Sequence, residues 1–397
     1  MKVLITTDWF LPTTNGVVTS VINLRNELEK RGHDVRVLTL VQTDKNCSER
    51  NTYYIKSFSV GKIYPQARMM RSLATKEVKE IIEWKPDIIH SQCEFSTYLF
   101  ARHIAKKTNA PIIHTYHTVY EDYTHYFSFS KRVGRQTVKM FTRAILRNTQ
   151  DVIVPTDKVN KLLHDYHVKQ PIYTVPTGID LDRYAARISK EIIAQKKKEL
   201  GILEHQFVLI YLGRVAKEKN IEEVVDYVGR VHSQNIRLLI VGDGPDMKAL
   251  RDYVEEVGAD RYVIFTGRVD RDRVNEYYQL GDVFVSASTS ETQGLTYIEA
   301  LASGVPLLCR KDECLDDVID DGVNGFQYEN FEEFSNYLKI LDKDGKLDEK
   351  YKQSALEKAE RFSTQRFGED VEKIYCKALE EKSEKEKYLL DKKKSFW

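Results

Sequence analysis

The sequence predicts two consecutive α/β domains, each a parallel β-sheet covered by helices on both faces. Three observations predict this. Short aliphatic runs alternate with longer amphipathic stretches along nearly the whole chain, as in a parallel sheet whose strands are joined by helices. The alternation comes in two series, separated by a polar, lysine-rich stretch around residues 181–205. The chain has 397 residues, more than one ordinary hydrophobic core organises.

The first series opens with the β-rich run Lys2–Thr7, followed by a loop containing Pro12, Asn15 and Gly16. Val17–Arg31 then places Val17, Val21, Leu24 and Leu28 on one helical face, and Gly32 caps its end. Further strands are expected at Asp34–Val41, Asp87–Ser91, Pro111–Tyr116, Asp151–Pro155 and Ile172–Val175. The second series has strands at Phe207–Leu212, Ile236–Val241, Tyr262–Thr266, Val283–Ser286 and Val305–Cys309. A charged helical tail runs from about 364 through Lys392–Lys394 to Ser395, Phe396 and Trp397. The domains are therefore drawn as 1–180, completed by the helix 364–397, and 181–363. Ligands of open parallel sheets bind beyond the carboxyl ends of the strands, so two facing sheets predict a site in the cleft between them.

Composition narrows the class. Hydrophobic residues make up 42% and charged residues 30%, the balance of a globular protein. No run approaches the ~20 apolar residues of a membrane-spanning helix. The amino terminus leads into a strand with no basic leader, which predicts a cytoplasmic protein. Cys47, Cys93, Cys309, Cys314 and Cys376 are scattered without metal-binding spacing and read as reduced thiols. The net charge of +1 conceals an asymmetry: residues 1–180 hold 26 Lys and Arg against 17 Asp and Glu, and the remainder 35 against 43. An anionic partner is expected for the first half alone.

The loops at strand ends hold the candidate chemistry. After the first strand, Gly16 opens a helix whose free N–H groups suit an anion. After the first strand of the second series comes Gly213-Arg214-Val215-Ala216-Lys217-Glu218-Lys219-Asn220, where Arg214 and Lys219 can clamp a diphosphate. The turns Val241–Pro245 and Gly267-Arg268-Val269 keep a wall open for a flat base, although a purely structural turn explains either one alone. The segment from Ser288 to Ala300 says most. Ser290 and Gln293 fit a helix capping box. That explains neither Glu291 in the loop nor Glu299 in the following helix, two carboxylates suited to vicinal sugar hydroxyls. Backbone N–H groups between them, at a helix start, suit phosphate.

Together, SETQGLTYIEA, the upstream GRVAKEKN and the amino-terminal NGV loop resemble the family 4 retaining glycosyltransferases of the GT-B fold. The likeness runs in order over nearly the whole chain. It implies that Glu299 binds the ribose of a nucleotide sugar and Glu291 the donor hexose. Arg214 and Lys219 hold the diphosphate, and Gly16 approaches it from the other domain. Gly294 and Leu295 contact the donor through their backbone, and Arg268 and Val269 lie at the base. His117, in HTYHT, matches the histidine that faces the donor sugar. The implied catalytic set is His117, Arg214, Lys219 and Glu291. A front-face reaction is expected, in which the departing phosphate helps remove the acceptor proton and the two cations stabilise it without a metal ion. Asp180–Asp182 and Asp270–Asp272 carry Asp-x-Asp but sit in no convincing phosphate loop.

A finer likeness, in HTYHTVYEDYTHY and SETQGLTYIEALASG, is to bacterial diacylglycerol glucosyltransferases. It implies UDP-glucose as co-substrate, 1,2-diacylglycerol as the lipid acceptor, an α-glycosyl product and a peripheral position on the inner face of the cell membrane. Independently of that likeness, Lys131, Arg135, Lys139, Arg143 and Arg147 recur every four residues with Val133, Met140, Phe141 and Ile145 among them. This reads as an anionic-membrane stripe or a solvated helix face. Nucleic acid is not expected as a partner, since aromatic RNA-binding signatures and zinc spacing are both missing. Three alternatives stay open: the same catalyst with a glycan or protein acceptor, another enzyme on this fold such as an epimerase or glycogen-type synthase, and a catalytically silent sugar-nucleotide-binding protein.

Overall fold

The computed structural model describes residues 1–13, 15–41, 49–59, 68–121, 130–343 and 345–394, with backbone only for Lys131, Leu390, Lys393 and Lys394. It divides into two compact units, 1–178 with 364–397, and 179–363.

The first unit is built on a seven-stranded parallel sheet. Its strands are β1 (Lys2–Thr7), β2 (Asp34–Leu40), β3 (Thr52–Ile55), β6 (Ile88–Ser91), β7 (Ile112–Thr115), β8 (Asp151–Val154) and β9 (Ile172–Thr174), in the order β3-β2-β1-β6-β7-β8-β9. A small antiparallel pair, β4 (Ser57–Ser59) with β5 (Arg68–Met70), lies outside it. The helices are α1 (Gly16–Lys30), α2 (Lys76–Trp84), α3 (Ser96–Thr108), α4 (Lys131–Leu146) and α5 (Asp157–Asp165), with the C-terminal helix Thr364–Lys394. Alternate strand residues serve opposite faces. Val3, Ile5, Val35 and Val37 pack against Val18, Val21, Leu24 and Leu28 of α1 and against Val371, Ile374 and Tyr375 of the C-terminal helix. Leu4, Leu38, Leu40 and Ile89 pack against Val78 and Ile81 of α2 and against Tyr98, Phe100 and Ile104 of α3. Asn15 starts α1 by accepting the Val18 N–H at 2.9 Å, and Gly32, at φ +84°, follows its last turn.

The second unit repeats the design with six parallel strands in the order β12-β11-β10-β13-β14-β15. These are β10 (Phe207–Leu212), β11 (Ile236–Val241), β12 (Val263–Gly267), β13 (Val283–Ser286), β14 (Leu307–Arg310) and β15 (Gly325–Tyr328). Its helices are α6 (Leu181–Ala185), α7 (Lys190–Glu199), α8 (Ile221–Val231), α9 (Met247–Glu256), α10 (Val274–Tyr278), α11 (Leu295–Ala302), α12 (Phe331–Leu341) and α13 (Glu349–Ala359). Phe207, Leu209, Leu238 and Ile240 face α8, α9 and α12, while Val208, Ile210 and Leu239 face α11 and α13. In each sheet the chain builds outward from its first strand and then crosses to that strand's other side. The switch points therefore lie between β1 and β6 and between β10 and β13, where open α/β sheets bind ligands.

The core strands fall where the aliphatic runs predict them, trimmed by a residue or two at prolines. Pro111 and Pro155 stand outside their strands, because proline has no N–H for the ladder. Four short strands, β3, β4, β5 and β15, do not follow from the pattern. They mix polar residues or glycine with aromatics or, in β5, with methionines, and lie at sheet edges or outside the main sheet, where alternation is weakest.

Candidate functional site

In the second unit, the loops after β10, β11 and β12 are fastened to each other by their backbones. Gly213 N–H donates to Val241 O at 3.0 Å, Val215 N–H to Asp243 O at 3.1 Å, and Gly242 N–H to Gly267 O at 3.0 Å. This contact explains two glycines. A Cβ on Gly242 would lie 1.9 Å from Gly213 O, and one on Gly244 2.0 Å from Val215 O. These glycines therefore serve loop-to-loop packing, in line with the structural-turn reading of Val241–Pro245. Arg268 is exposed on the loop after β12, and its neighbour Val269 packs on the core.

The loops after β10 and β13 bring four of the anticipated groups to one corner. Lys219 Nζ lies 2.5 Å from Glu291 Oε1, each side chain about one-fifth exposed. Ser288 Oγ donates to the same oxygen at 3.3 Å. Arg214 Nη2 stands 3.6 Å from Glu218 Oε1, with the arginine side chain 57% exposed. Ser290 Oγ reaches back to Glu218 O at 3.1 Å, tying the two loops together. The capping box expected from Ser290 and Gln293 does not form. Gly294, at φ +71°, is the residue before α11, and no side chain caps that helix. A Cβ there would lie 2.3 Å from the Tyr297 ring. Leu295 is the first residue of α11, so its opening turn keeps N–H groups that an anion can take.

Glu299, in the middle of α11, has different partners. Tyr278 OH donates to its Oε2 at 2.8 Å. Burial raises its pKa, while the Tyr184 and Tyr278 hydroxyls and the Arg271 and Arg183 charges partly offset that rise. It is a carboxylate in an aromatic frame, whereas Glu291 is a carboxylate in an ion pair. Both keep acceptor capacity for hydroxyl groups.

In the first unit His117 follows β7. Its Nε2 lies 2.7 Å from Gln92 Oε1, so the amide oxygen fixes the proton on Nε2 and leaves Nδ1 as an acceptor. Burial, with His114 nearby, pushes the His117 pKa down to about 3. The ring is neutral at physiological pH. Gln92 is 2% exposed and is held at the end of β6 by its N–H to Thr6 O at 2.8 Å. Its Nε2 is buried without a partner among the described residues.

Around this pair lies a buried polar cluster that the sequence reading did not single out. His114 Nε2 meets Glu94 Oε1 at 3.2 Å, and Tyr120 OH donates to the other oxygen of Glu94. Asp8 Oδ1 accepts the Thr97 N–H at 2.9 Å, and burial pushes the Asp8 carboxyl up to about 6. His90 sits between Tyr375 OH at 2.6 Å and Thr115 Oγ1 at 2.7 Å, its pKa lowered by burial. The available signal was polar residues where β1, β6 and β7 end, in TTD, HSQCE and HTYH. Gly16 is the first residue of α1, beyond the carboxyl end of β1.

The basic stripe turns slowly around α4. Residues four apart advance about 40° around a helix. Arg135, still 57% exposed, meets Glu121 Oε1 at 2.9 Å, and Lys139 meets Asp165 O at 2.9 Å. Arg143 and Arg147 stay exposed, and the side chain of Lys131 lies outside the described residues. Arg132 joins the outward face with Val133 at 60% and Met140 at 69% exposure. Phe95, 45% exposed, stacks on Phe141 beside them, with ring centroids 5.8 Å apart. Among the described residues no helix is long and apolar enough to cross a membrane, and no three His, Cys, Asp or Glu side chains converge as a metal site.

Two Rossmann-like units in one chain, each with polar groups at the carboxyl ends of its strands, are the GT-B fold. Residues 14–183 match Glycosyltransferase Family 4 and residues 192–358 match Glycosyl transferases group 1, and the chain belongs to this glycosyltransferase family. It is 34% identical over 384 residues to alpha-monoglucosyldiacylglycerol synthase of Streptococcus pneumoniae, covering 96% of this chain and 86% of that one. It is 32% identical to the synthase of that name from Acholeplasma laidlawii, covering 96% of each. Among solved structures, Anabaena HepE in complex with UDP is similar with a TM-score of 0.74 at 17% identity, over 95% of this chain and 100% of that one. Sucrose-phosphate synthase from Thermosynechococcus elongatus gives 0.73 at 19% identity, over 95% and 98%.

Proposed function

We propose that this glycosyltransferase transfers glucose from UDP-glucose to 1,2-diacylglycerol, with retention of the α configuration and without a metal ion, while bound peripherally to the inner face of the cell membrane. One observation carries the reading: the likeness to two alpha-monoglucosyldiacylglycerol synthases extends over 96% of the chain. In this reading Glu299 holds the ribose and the first turn of α11, from Gly294 and Leu295, receives the phosphates. Arg214 and Lys219 leave their present carboxylate partners in part to hold the diphosphate, and Glu291 accepts from hexose hydroxyls. Neutral His117 accepts a hydroxyl proton of the same sugar at Nδ1. Arg268 and Val269 border the base, and Gly16 lets the start of α1 approach the phosphate.

The charge that develops on the departing phosphate is met by fixed cations and a helix amino terminus. The same phosphate takes the acceptor's proton as the new bond forms on the face it leaves. The outward face of α4, where Arg132, Arg143 and Arg147 surround Val133 and Met140, suits an anionic bilayer.

A panel of radiolabelled sugar nucleotides offered with diacylglycerol vesicles, the lipids then separated by thin-layer chromatography, tests the proposal. UDP-glucose should give a labelled α-glucosyl lipid. Label found only in a glycan or protein, or only in hydrolysed sugar, would overturn the acceptor assignment.

A further inference from the structure

The C-terminal helix changes character along its length. Its inner stripe, Phe367, Val371, Ile374 and Ala378, is buried in the first unit. The same line, continued at three- and four-residue steps, runs through half-buried Lys382 to Lys385, Leu389 and Lys392, with Tyr388 beside it. These last four are exposed, Tyr388 at 66% and Leu389 at 57%. Glu380, Glu384 and Asp391 fall on the opposite side of the helix. The helix is held to its unit until this point. Gln150 Nε2 donates to Ala378 O at 3.0 Å and to Glu381 Oε2 at 3.2 Å, and Asn109 Nδ2 donates to Glu386 Oε1 at 2.8 Å. Asn109 follows α3 directly, next to exposed Lys106 and Lys107.

From this arrangement we infer that the last turns of the C-terminal helix, Lys385 to Lys392, form a second membrane contact that lays Tyr388 and Leu389 into an anionic bilayer surface. The inference rests on the membrane reading of the first unit and adds an element to it. Three features choose this occupant. The exposed line combines cations with a tyrosine and a leucine, the composition of an interfacial helix face. Of the acids within or next to the exposed line, Glu384 and Asp391 are turned away from it and Glu386 is engaged by Asn109. A second copy of the helix would align Lys385 and Lys392 with their counterparts along the same seam, where like charges repel.

The test uses full-length protein, vesicles of phosphatidylcholine with graded phosphatidylglycerol, and two pairs of substitutions, Lys385→Glu with Lys392→Glu and Tyr388→Ser with Leu389→Ser. All four positions lie outside the core, so the fold should persist, as circular dichroism would verify. The charge pair should lower vesicle partitioning about thirtyfold or more at low salt. The apolar pair should lower it about tenfold. Trypsin cuts after exposed lysines, so phosphatidylglycerol vesicles should slow cleavage within 385–392 in the wild type, and phosphatidylcholine alone should not. If the wild type binds, both variants bind equally well and the tail is cleaved at the same rate, the inference fails while the membrane reading stands. If the wild type does not bind, both fall together. A wild-type dimer that either pair converts to monomer would assign the face to self-association and overturn the inference.

Discussion

The two units meet their ligand-binding task with opposite electrostatics. In the second, the groups at the switch point are charged and partly exposed: Lys219 with Glu291 at 2.5 Å and Arg214 with Glu218 at 3.6 Å. In the first, the groups in the equivalent position form a hydrogen-bonded cluster that is largely buried. Burial keeps His117 neutral beside the Gln92 amide oxygen and raises the Asp8 pKa to about 6. Paired surface charges exchange partners at little cost, because each is still partly hydrated. A buried network cannot exchange so freely, since each broken bond leaves an unsatisfied group. On the proposed function, the second unit grips and releases the charged diphosphate and the first positions hydroxyls. Four experiments break or sharpen this contrast.

The largest effect should come from Lys219→Ala. If the paired lysine stabilises the leaving phosphate, turnover should fall about 10²-fold or more, as when one oxyanion donor is lost. The mutant should keep its fold, because the 3-10 turn Lys217–Lys219 buries none of its residues. Near-normal turnover would remove Lys219 from the site and leave its pair with Glu291 a structural one.

This first prediction also marks how far the sequence is legible. The stretch from Ser288 to Ala300 announces itself because strand end, loop carboxylate and helix carboxylate are contiguous. The pairing of Lys219 with Glu291 spans 72 residues, and the local patterns that singled out each residue gave no sign that the two would meet. The cluster of Asp8, Gln92, Glu94 and His114 was illegible for a related reason. Its members are single residues on separate strand ends, with no spacing rule to connect them until the sheet aligns β1, β6 and β7. The capping box failed by competition: Ser290 bonds Glu218 O in the neighbouring loop instead of α11. The basic stripe turns slowly around its helix, as four-residue steps do, and which of its cations pair with the unit's own residues could not be read from the spacing.

Gln92→Glu should have the next largest effect. A carboxylate at that place stabilises the imidazolium of His117, which then donates from Nδ1 where it otherwise accepts. Turnover should fall about tenfold at pH 6 and recover toward pH 8–9 as the ring loses its proton. Gln92→Leu should be impaired evenly across that range. Superimposable profiles for wild type and Gln92→Glu would show that Gln92 does not set the state of His117.

Asp8→Asn addresses stability. The Asp8 pKa is raised from 3.8 to about 6 in the folded chain, so its favourable contribution is complete below pH 3.8 and is lost as pH rises through 6. Asparagine keeps an oxygen for the Thr97 N–H and carries no charge. The variant should therefore match the wild type near pH 4 and exceed it above pH 7, by about 2 kcal/mol. Urea titrations at both pH values measure this. Equal stability at pH 8 would mean that the Asp8 carboxylate is well solvated or well paired in the folded chain.

The smallest expected effect is from chelation, and it tests the charged half of the contrast directly. If Arg214, Lys219 and the opening turn of α11 hold the diphosphate, the charge balance of the reaction is supplied by covalently fixed groups. Turnover should then be unchanged in excess EDTA, and adding Mg²⁺ or Mn²⁺ should do no more than screen the donor. A divalent ion bridging the phosphates would need carboxylate ligands, and Glu291 and Glu218 are engaged by Lys219 and Arg214. Recruiting either acid would separate it from its cation. The measurement is initial rate against chelator concentration, with donor and acceptor saturating. Complete loss restored by one divalent ion would transfer the work of the cations to a metal and make the carboxylates ligands. The same result in Lys219→Ala would separate the two possibilities, since a metal-held diphosphate would leave that variant with much of its activity.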